Sequence, residues 1–397
     1  MYHVQKQTIK PTDNRYARLD ELCFLSKNLY NATLYHIRQQ YFKDKIYLNY
    51  NYMDKFFNST DNTDYRALPA KVSKFTLQLV NQSFKSFFEL IKLKKAKKYE
   101  KPIRMPKYLP KNGRQVVHYT KQALSFKKEG YVRLSKEDIE IFVGELPVEF
   151  IKIVPRGRHI DICVGYKIDE KEYIDNNRYA SIDLGVNNLA TITSNVFSPF
   201  IINGKPLKSI NEKYSNNIAD KKSKLQDKKY SSKTINNMYG KRQRKINDYL
   251  HKSSRYIVNY LVSNQVNTLI IGYNKEWKQN INLSTKTNRI FASLPFNKFI
   301  EILTYKCKIA GIKLILQEES YTSKCSFLDN EDINKHKTYK GKRITRGLFK
   351  TGERIINADV NGSYNILKKG LIKLTAWNEN IFSDCVRVNS TPKVYNF

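Results

Sequence analysis

From Leu19 onward apolar residues recur at helical spacing, with Leu22, Leu25, Leu29 and Ala32 on one face, so a helix is expected there. A second helix is predicted to start near Pro69, a residue suited to a first helical turn. Leu77, Val80, Phe84, Phe87, Phe88 and Ile91 form its apolar stripe. Elsewhere in the first half the period shortens. Residues 2–10 alternate loosely and predict one edge strand. Residues 92–113 are basic, contain three prolines, and predict an extended linker. Short pieces at 114–119, 122–127, 130–134, 139–143, 149–154 and 159–167, separated by turn residues, predict a small antiparallel barrel.

After about residue 178 the pattern changes. YASIDLG, NLATITS and SPFIING read as three short apolar strands with tight connections. A basic segment, 205–256, leads into an amphipathic helix carrying Ile246, Tyr249, Leu250, Ile257 and Leu261. NTLIIGY is a strand of the fully buried type, followed by a helix near 295–310 and the strand IKLILQ at 312–317. A long polar loop then reaches a final helix beginning around 358. Three strands, helix, strand, helix, strand, helix is the order of an RNase H-like fold. No repeat of solenoid period is present.

Charge narrows the function. The 397 residues hold 71 Lys+Arg against 36 Asp+Glu, a formal net charge of +35. Such a chain repels itself unless a polyanion neutralises it, so nucleic acid is the expected partner, with binding that weakens steeply in salt. No apolar run approaches a membrane span, and MYHVQKQTIK lacks the apolar stretch of a signal peptide, so no membrane partner is expected. The 28 Tyr and 20 Phe suit base stacking, although A/T-rich coding DNA would enrich the same residues. Five scattered cysteines (Cys23, Cys163, Cys307, Cys325, Cys385) without any CxxC pair argue against a disulfide framework and a four-cysteine zinc site. A reducing cytoplasm is the expected setting, nucleoid-associated, in a prokaryote or its mobile elements.

Candidate contacts follow from that charge. Lys71, Lys74, Gln78 and Lys85 lie opposite the apolar stripe of the second helix, on a face that suits a phosphate backbone and equally a solvated surface. Lys221, Lys222, Lys224, Lys228, Lys229, Lys241, Arg242, Arg244 and Lys245 crowd the basic segment, a density that favours phosphate contact. His251 and Arg255 share a helical face at i,i+4.

Phosphodiester cleavage on an RNase H-like fold needs carboxylates that hold two Mg²⁺ ions, one activating water and the other stabilising the leaving oxygen. Asp183, between Ile182 and Leu184 in SIDLGVNNLATI, is costly to bury unless paired or metal-bound. Asp359, in INADVNGSYNIL, sits near a helix start, where an aspartate also serves as an ordinary cap.

IDLGVNNLAT, YTSK and ADVNGSYNIL, in this order, resemble the RuvC motifs of the TnpB family, relatives of the type V CRISPR effectors and of the Fanzor nucleases. RMPKYL, LHKSSRYIV and GKRITRGLF are also similar to TnpB, and the likeness spans most of residues 68–370. It implies an α+β multidomain chain: a β-barrel wedge domain with an inserted helical recognition lobe, then an RNase H-like (RuvC) α/β domain. On this reading residues 1–10 are a wedge strand, 11–113 the recognition lobe and basic linker, and 114–177 the wedge barrel. Residues 178–370 are the RuvC-like domain, with a basic helical insertion at 205–262 and a degenerate zinc-knuckle or lid region at 320–357; 371–397 form a C-terminal tail. The resemblance further implies a guide RNA from a transposon end and Mg²⁺-dependent cleavage of double-stranded DNA beside a short target-adjacent motif, with base pairing reading the rest.

Two departures qualify it. Most TnpB proteins carry a glutamate at the end of the fourth RuvC strand, where this chain has Gly272. The next strand ends in Glu318 and Glu319, and a relocated glutamate there can reach the same metals. Adjacent residues on a strand point to opposite faces, so one of the two is expected to serve, and Glu319 is preferred; Glu276 is a weaker substitute. The catalytic and metal-binding set is thus Asp183, Glu319 and Asp359. The family's two CxxC pairs are also missing. Cys325, Asp329 and His336 can be drawn together, but zinc wants four good ligands and is not expected. In place of the knuckle stands a basic loop with Lys342, Arg343, Arg346 and Phe349, suited to gripping a strand near the metals. Two other functions compete: an RNA-guided DNA-binding protein with an inactive site, for which Gly272 is the best argument, and a guide-independent RNase H-fold strand transferase or resolvase.

Overall fold

The structure is a computed structural model that describes residues 2–226, 230–274, 293–378, 381 and 391–397. It divides into two compact units, Met1–Asp169 and Glu170–Phe397.

In the first unit β1 (Tyr2–Ile9) is followed by α1 (Tyr16–Asp44), α2 (Tyr50–Ser59), α3 (Thr63–Arg66) and α4 (Ala70–Lys95). Six strands follow: β2 (Val117–Thr120), β3 (Leu124–Ser125), β4 (Tyr131–Leu134), β5 (Glu140–Phe142), β6 (Val148–Pro155) and β7 (Ile160–Lys167). They pair as a four-stranded sheet, β1-β7-β6-β2, and a three-stranded sheet, β3-β4-β5. β1 stands at an edge, as its loose alternation suggests. All pairs are antiparallel, in two ladders where the strand pattern predicted one barrel. Leu19, Leu22, Leu29, Leu77, Val80 and Phe84 join Ile151, Ile153 and Ile162 in a single core. The chain pattern does not announce α2 and α3, which are polar and short. Their starts are fixed by side chains: Asn49 accepts from the Tyr52 amide at 3.0 Å, and Asn62 from that of Tyr65 at 3.0 Å. α4 runs into the expected linker as far as Lys95, its last-turn lysines complementing the helix dipole.

The second unit is one six-stranded sheet with helices on both faces. Its strands are β8 (Tyr179–Leu184), β9 (Asn188–Ser194), β10 (Phe200–Asn203), β11 (Thr268–Gly272), β12 (Lys313–Gln317) and β16 (Lys393–Tyr395), in the order β12-β11-β8-β9-β10-β16. β8, β9 and β10 meander antiparallel, whereas β11 runs parallel to both β8 and β12. α5 (Lys205–Ser223) and α6 (Lys233–Ser263) connect β10 to β11, α7 (Phe296–Ala310) connects β11 to β12, and α8 (Ala358–Lys373) precedes β16. The residues expected to be a tail supply β16, which pairs parallel with β10. The long loop before α8 holds a small antiparallel sheet of β13 (Gly341–Thr345), β14 (Leu348–Thr351) and β15 (Arg354–Asn357).

Strand alternation sorts the sheet into two faces. Ile182, Leu184, Leu269 and Ile271 pack with Leu250, Ile257, Leu261, Phe299 and Leu303 of α6 and α7. Tyr179 and Ile270 pack with Val360, Tyr364, Leu367 and Leu371 of α8. Asp183 and Gly272 share the parity of Tyr179 and Ile270 and therefore belong to the α8 face. A buried hydroxyl cluster pins α8 there: Ser181 Oγ lies 2.7 Å from Thr193 Oγ1 and donates to the Ser363 carbonyl at 2.7 Å, while Ser363 Oγ donates to the Thr191 carbonyl at 3.0 Å. Each hydroxyl in that buried layer has a partner, and the partners fix the register of α8 along β8 and β9.

Candidate metal centre

Asp183 is the next-to-last residue of β8, paired with Thr191 across the ladder. Its carboxylate is set deep among protein atoms yet keeps part of its surface open, and it makes no hydrogen bond or ion pair among the described residues. α8 leaves room for it by presenting Gly362, where an added Cβ would stand 3.0 Å from Asp183 Oδ2. Burial first, then the charges of Glu319 and Asp359, push the Asp183 carboxyl well above its usual range; Arg343 opposes the shift. The carboxylates of Glu319 and Asp359 are thus close enough to act on Asp183 electrostatically.

Asp359 belongs to the first turn of α8 but does not cap it. Asn357 is the cap, accepting from the amides of Asp359 at 3.0 Å and Val360 at 3.2 Å. The Asp359 carboxylate is left to other work: Asn188 donates to Oδ2 at 2.6 Å and Arg343 to Oδ1 at 3.2 Å.

Glu318 and Glu319 part company just beyond β12. Glu318 is exposed, and Lys369 donates to it at 2.6 Å while the Ser320 amide and hydroxyl donate at 2.6 and 2.8 Å. Against a burial that would raise it, these bonds hold the Glu318 carboxyl below its usual range. Glu319 turns toward β11. Asn274 donates to its Oε1 at 3.0 Å, and Oε2 lies 2.7 Å from where a Cβ on Gly272 would stand. The space that a residue-272 side chain would enter is therefore taken by the Glu319 carboxylate and by Ile366, whose Cδ1 is 2.5 Å from the same point. Glu276 lies outside the described residues.

The donor set suits a hard divalent cation, being all oxygen and all carboxylate. The side chains are gathered but not closed: among the described residues no three His, Cys, Asp or Glu groups stand in ligating geometry. Carboxylates without a cation between them repel, and the nearest positive charge is Arg343, against Asp359. Asn188 and Asn274, which orient two of the three acids, were missed in the sequence reading. The paired asparagines of GVNNLAT and the Asn of GYN, each next to a strand end on the acidic face, were the available signal.

The other expected contacts divide. Arg343 reaches the acids, and Lys342 and Arg346 are exposed on the same small sheet. Phe349 corrects the expectation of an aromatic grip: it is 1% exposed and packs in the α8-side core beneath Gly341. Cys325, Asp329 and His336 are not brought together. The Cys325 thiol donates to the Asn334 carbonyl at 3.7 Å, Asp329 accepts from Arg354 at 2.5 Å and from Thr351, and His336 Nε2 meets the Asp332 carbonyl at 2.7 Å. At the centre of that loop stands the buried Lys368 ammonium of α8, donating to the Asn330 and Glu331 carbonyls at 3.0 and 3.1 Å and to the Asn330 side chain. Glu331, also buried, accepts from the Ser326 and Lys340 amides at 2.7 and 3.0 Å.

In the first unit, Lys71, Lys74 and Gln78 line one groove with Tyr50, Thr120 and Lys121. Lys71 is exposed, whereas Lys74 bridges to Asp54 at 3.0 Å. In the basic segment Arg242 is spent on Asn211 at 2.8 Å and Lys224 on Asp220 at 2.7 Å; Lys241, Arg244 and Lys245 are exposed, and Lys228 and Lys229 lie outside the described residues. No helix among the described residues is long and apolar enough to cross a membrane.

Residues 162–278 match the family OrfB_IS605, described as a probable transposase, and residues 296–366 match the domain described as Cas12f1-like, TNB. No curated protein sequence matches the chain. Among solved structures, the cryo-EM structure of a Cas12f1–sgRNA–target DNA complex aligns with a TM-score of 0.52 at 14% identity, covering 88% of this chain and 82% of that one. The mini-RNA-guided endonuclease CRISPR-Cas phi3 aligns with a TM-score of 0.43 at 10% identity over 94% and 92% of the two chains. The first of these is a likeness of fold, that of a mixed α+β multidomain protein.

Proposed function

Since the chain belongs to the OrfB_IS605 (TnpB) family of probable transposases, we propose that it is an RNA-guided, Mg²⁺-dependent DNA endonuclease of a transposable element. The observation that carries the reading is the exchange of places between Gly272 and Glu319. The carboxylate that the family supplies from the end of the fourth strand is absent there, and Glu319 fills the vacated space from the neighbouring strand, on the face that holds Asp183 and Asp359. The sheet order β12-β11-β8-β9-β10, with the first acid on the central strand and the last on the closing helix, supports an RNase H-like domain. The antiparallel sheets of the first unit, interrupted after β1 by four helices, support a wedge domain with an inserted recognition lobe.

Bound Mg²⁺ would supply a water of lowered pKa and positive charge at the leaving oxygen. Asp183, Glu319 and Asp359 would hold it. Asp183 offers oxygens that no protein donor engages, so ligation breaks no bond there. Asn188 and Asn274 keep the flanking carboxylates turned inward through neutral amide donors, which leave the negative charge available. Arg343, which donates to Asp359, would be within reach of a phosphate oxygen of the strand being cut. In the first unit the groove on α4 combines lysines with the amide of Gln78, a mixture suited to a short DNA motif: lysines on phosphates, amide on base edges.

The test is cleavage of guide-matched DNA, using the RNA that co-purifies, by wild type, Glu319→Gln and Glu318→Gln in Mg²⁺. Cutting lost only in Glu319→Gln, with target binding intact, is the expected result. Loss in Glu318→Gln alone would overturn the assignment of Glu319. Gly272, standing where most of the family carry a glutamate, favours a second reading, a guided DNA-binding protein with an inactive site; wild type that binds target and never cuts would establish it.

A further inference from the structure

His251 and Arg255, the helical pair that the nuclease reading leaves unused, open onto a pocket of about 520 Å³ between α6 and α7. That volume is within the range of small-ligand sites. Its inner wall is Lys306, 7% exposed, whose ammonium donates to the His251 carbonyl and to Ser254 Oγ, both at 2.7 Å. Both acceptors are neutral. No carboxylate pairs with Lys306, and Arg255, at the exposed rim, has no hydrogen bond or ion pair among the described residues. Asp248, the acid that faces this cluster, is held by Lys252 at 2.9 Å. Lys298 adds a further positive charge nearby, its ammonium donating to Asn247 at 2.6 Å. The charges of the cluster work against each other: burial first, then Arg255, brings the Lys306 ammonium down to about 8, and burial followed by Lys306, Lys298 and Arg255 lowers His251. Cations with no carboxylate partner among the described residues suit an anion. The remaining wall is aromatic, with Tyr305 on α7 and the Tyr256 and Phe397 rings 5.3 Å apart.

We propose that this pocket holds one nucleotide of single-stranded RNA, its phosphate between Arg255 and Lys306 and its base against the aromatic wall. Phosphate on a guanidinium and base on a ring is how single-stranded nucleic acid is held without sequence preference. The occupant is not the strand being cut. The pocket is on the α6–α7 face of the sheet, whereas Asp183 points to the α8 face. Of the two nucleic acids in the proposed complex the guide is then the one to seat here, and Asn259 at the rim can take a ribose 2′-hydroxyl, which DNA lacks. The assignment to RNA rests on the guided reading above; the anion pocket itself does not.

The experiment uses the full chain and two photoactivatable probes, a short oligouridine carrying 4-thiouridine and an oligothymidine carrying 4-thiothymidine, with labelled peptides mapped after irradiation. RNA label on the peptides of Tyr256 or Tyr305 is expected. Arg255→Glu should reduce it by about tenfold or more, as the loss of a charge-assisted hydrogen bond implies. Lys233→Glu, an equal charge change on the exposed surface of the same helix, should leave it. A melting curve like that of wild type confirms that Arg255→Glu is folded, and Arg255→Gln replaces it otherwise. No label at either tyrosine, equal loss in both charge variants, or equal labelling by the DNA probe would overturn the proposal. Neither guide nor cleavage enters the measurement, so a chain that never cuts DNA can pass it and an active nuclease can fail it.

Discussion

Replacing Gly272 by alanine tests the central geometry with one methyl group. The new Cβ would stand 2.5 Å from Ile366 Cδ1 and 2.7 Å from Glu319 Oε2, where ordinary contact begins at 3.4 Å. Ile366 must therefore give about 0.9 Å and Glu319 about 0.7 Å. Ile366 is fully buried in the α8-side core, so overpacking should cost about 1–3 kcal/mol. For a domain of this size that is a fall of about 2–4 °C in melting temperature per kcal/mol. The effect on Glu319 is larger in function than in stability. Productive sites tolerate about 0.5 Å of error, and a misplacement of about 1 Å can cost on the order of 10²-fold in rate. Cleavage time courses on guide-matched DNA should thus show Gly272→Ala slowed by about that factor while gel shifts show unaltered target binding. The double variant Gly272→Glu/Glu319→Gly moves the carboxylate to the fourth strand and should recover part of the lost rate. A Gly272→Ala protein that melts and cuts like wild type would refute the argument, because the space beside β11 would then not be the seat of a working carboxylate.

Asp183→Asn should raise the melting temperature of EDTA-treated protein while abolishing cleavage. A carboxyl raised by burial and by Glu319 and Asp359 stabilises the fold only while protonated; that contribution is complete below the ordinary carboxyl pKa and lost as pH rises through the raised one, so the gain should grow from acid to neutral pH. Lys368→Met should destabilise the second unit by about 2–4 kcal/mol in chemical denaturation, since two buried carbonyls and the Asn330 side chain lose their donor. In the first unit His118, its ring 3.9 Å from that of Phe75, is lowered from 6.5 to about 4 by burial and then by Lys152. The stability it contributes is present above pH 6.5 and lost as pH falls toward 4, so His118→Phe should flatten the acid limb of a melting-temperature profile over that window.

Most elements of the second unit were legible because each carried a strong local pattern: apolar strands bounded by turns, and one amphipathic helix after another. The acids at 183, 319 and 359 were legible for a different reason. Asp183 stands between apolar residues, where a carboxylate is costly to bury, whereas Glu319 and Asp359 follow from the resemblance to TnpB motifs, with alternation preferring Glu319 to Glu318. What sequence could not convey was set by contacts distant in the chain. The pairing of residues 393–395 with β10 depends on an unpaired sheet edge that only the folded unit has. Phe349 read as a ligand grip because its neighbours are basic, yet its burial under Gly341 depends on the antiparallel turn between β13 and β14. Asp359 read as a possible cap until Asn357, two residues earlier, took the exposed amides.

The loop between β12 and β13 carries a further implication, about the order in which the chain takes shape. A knuckle closed by its own thiolates and a metal ion can fold as soon as its own residues exist. Here, beside the loop's own Glu331, organising groups come from α8: Asn361 and Asn365 donate to the Cys325 carbonyl at 2.9 and 2.8 Å, and Lys368 holds residues 330 and 331. The segment therefore depends on α8 for much of its order. It must wait during synthesis until residue 368 has been made and α8 has docked on the hydroxyl cluster of β8 and β9. Excised as a peptide, it should behave as a random coil whatever metal is added.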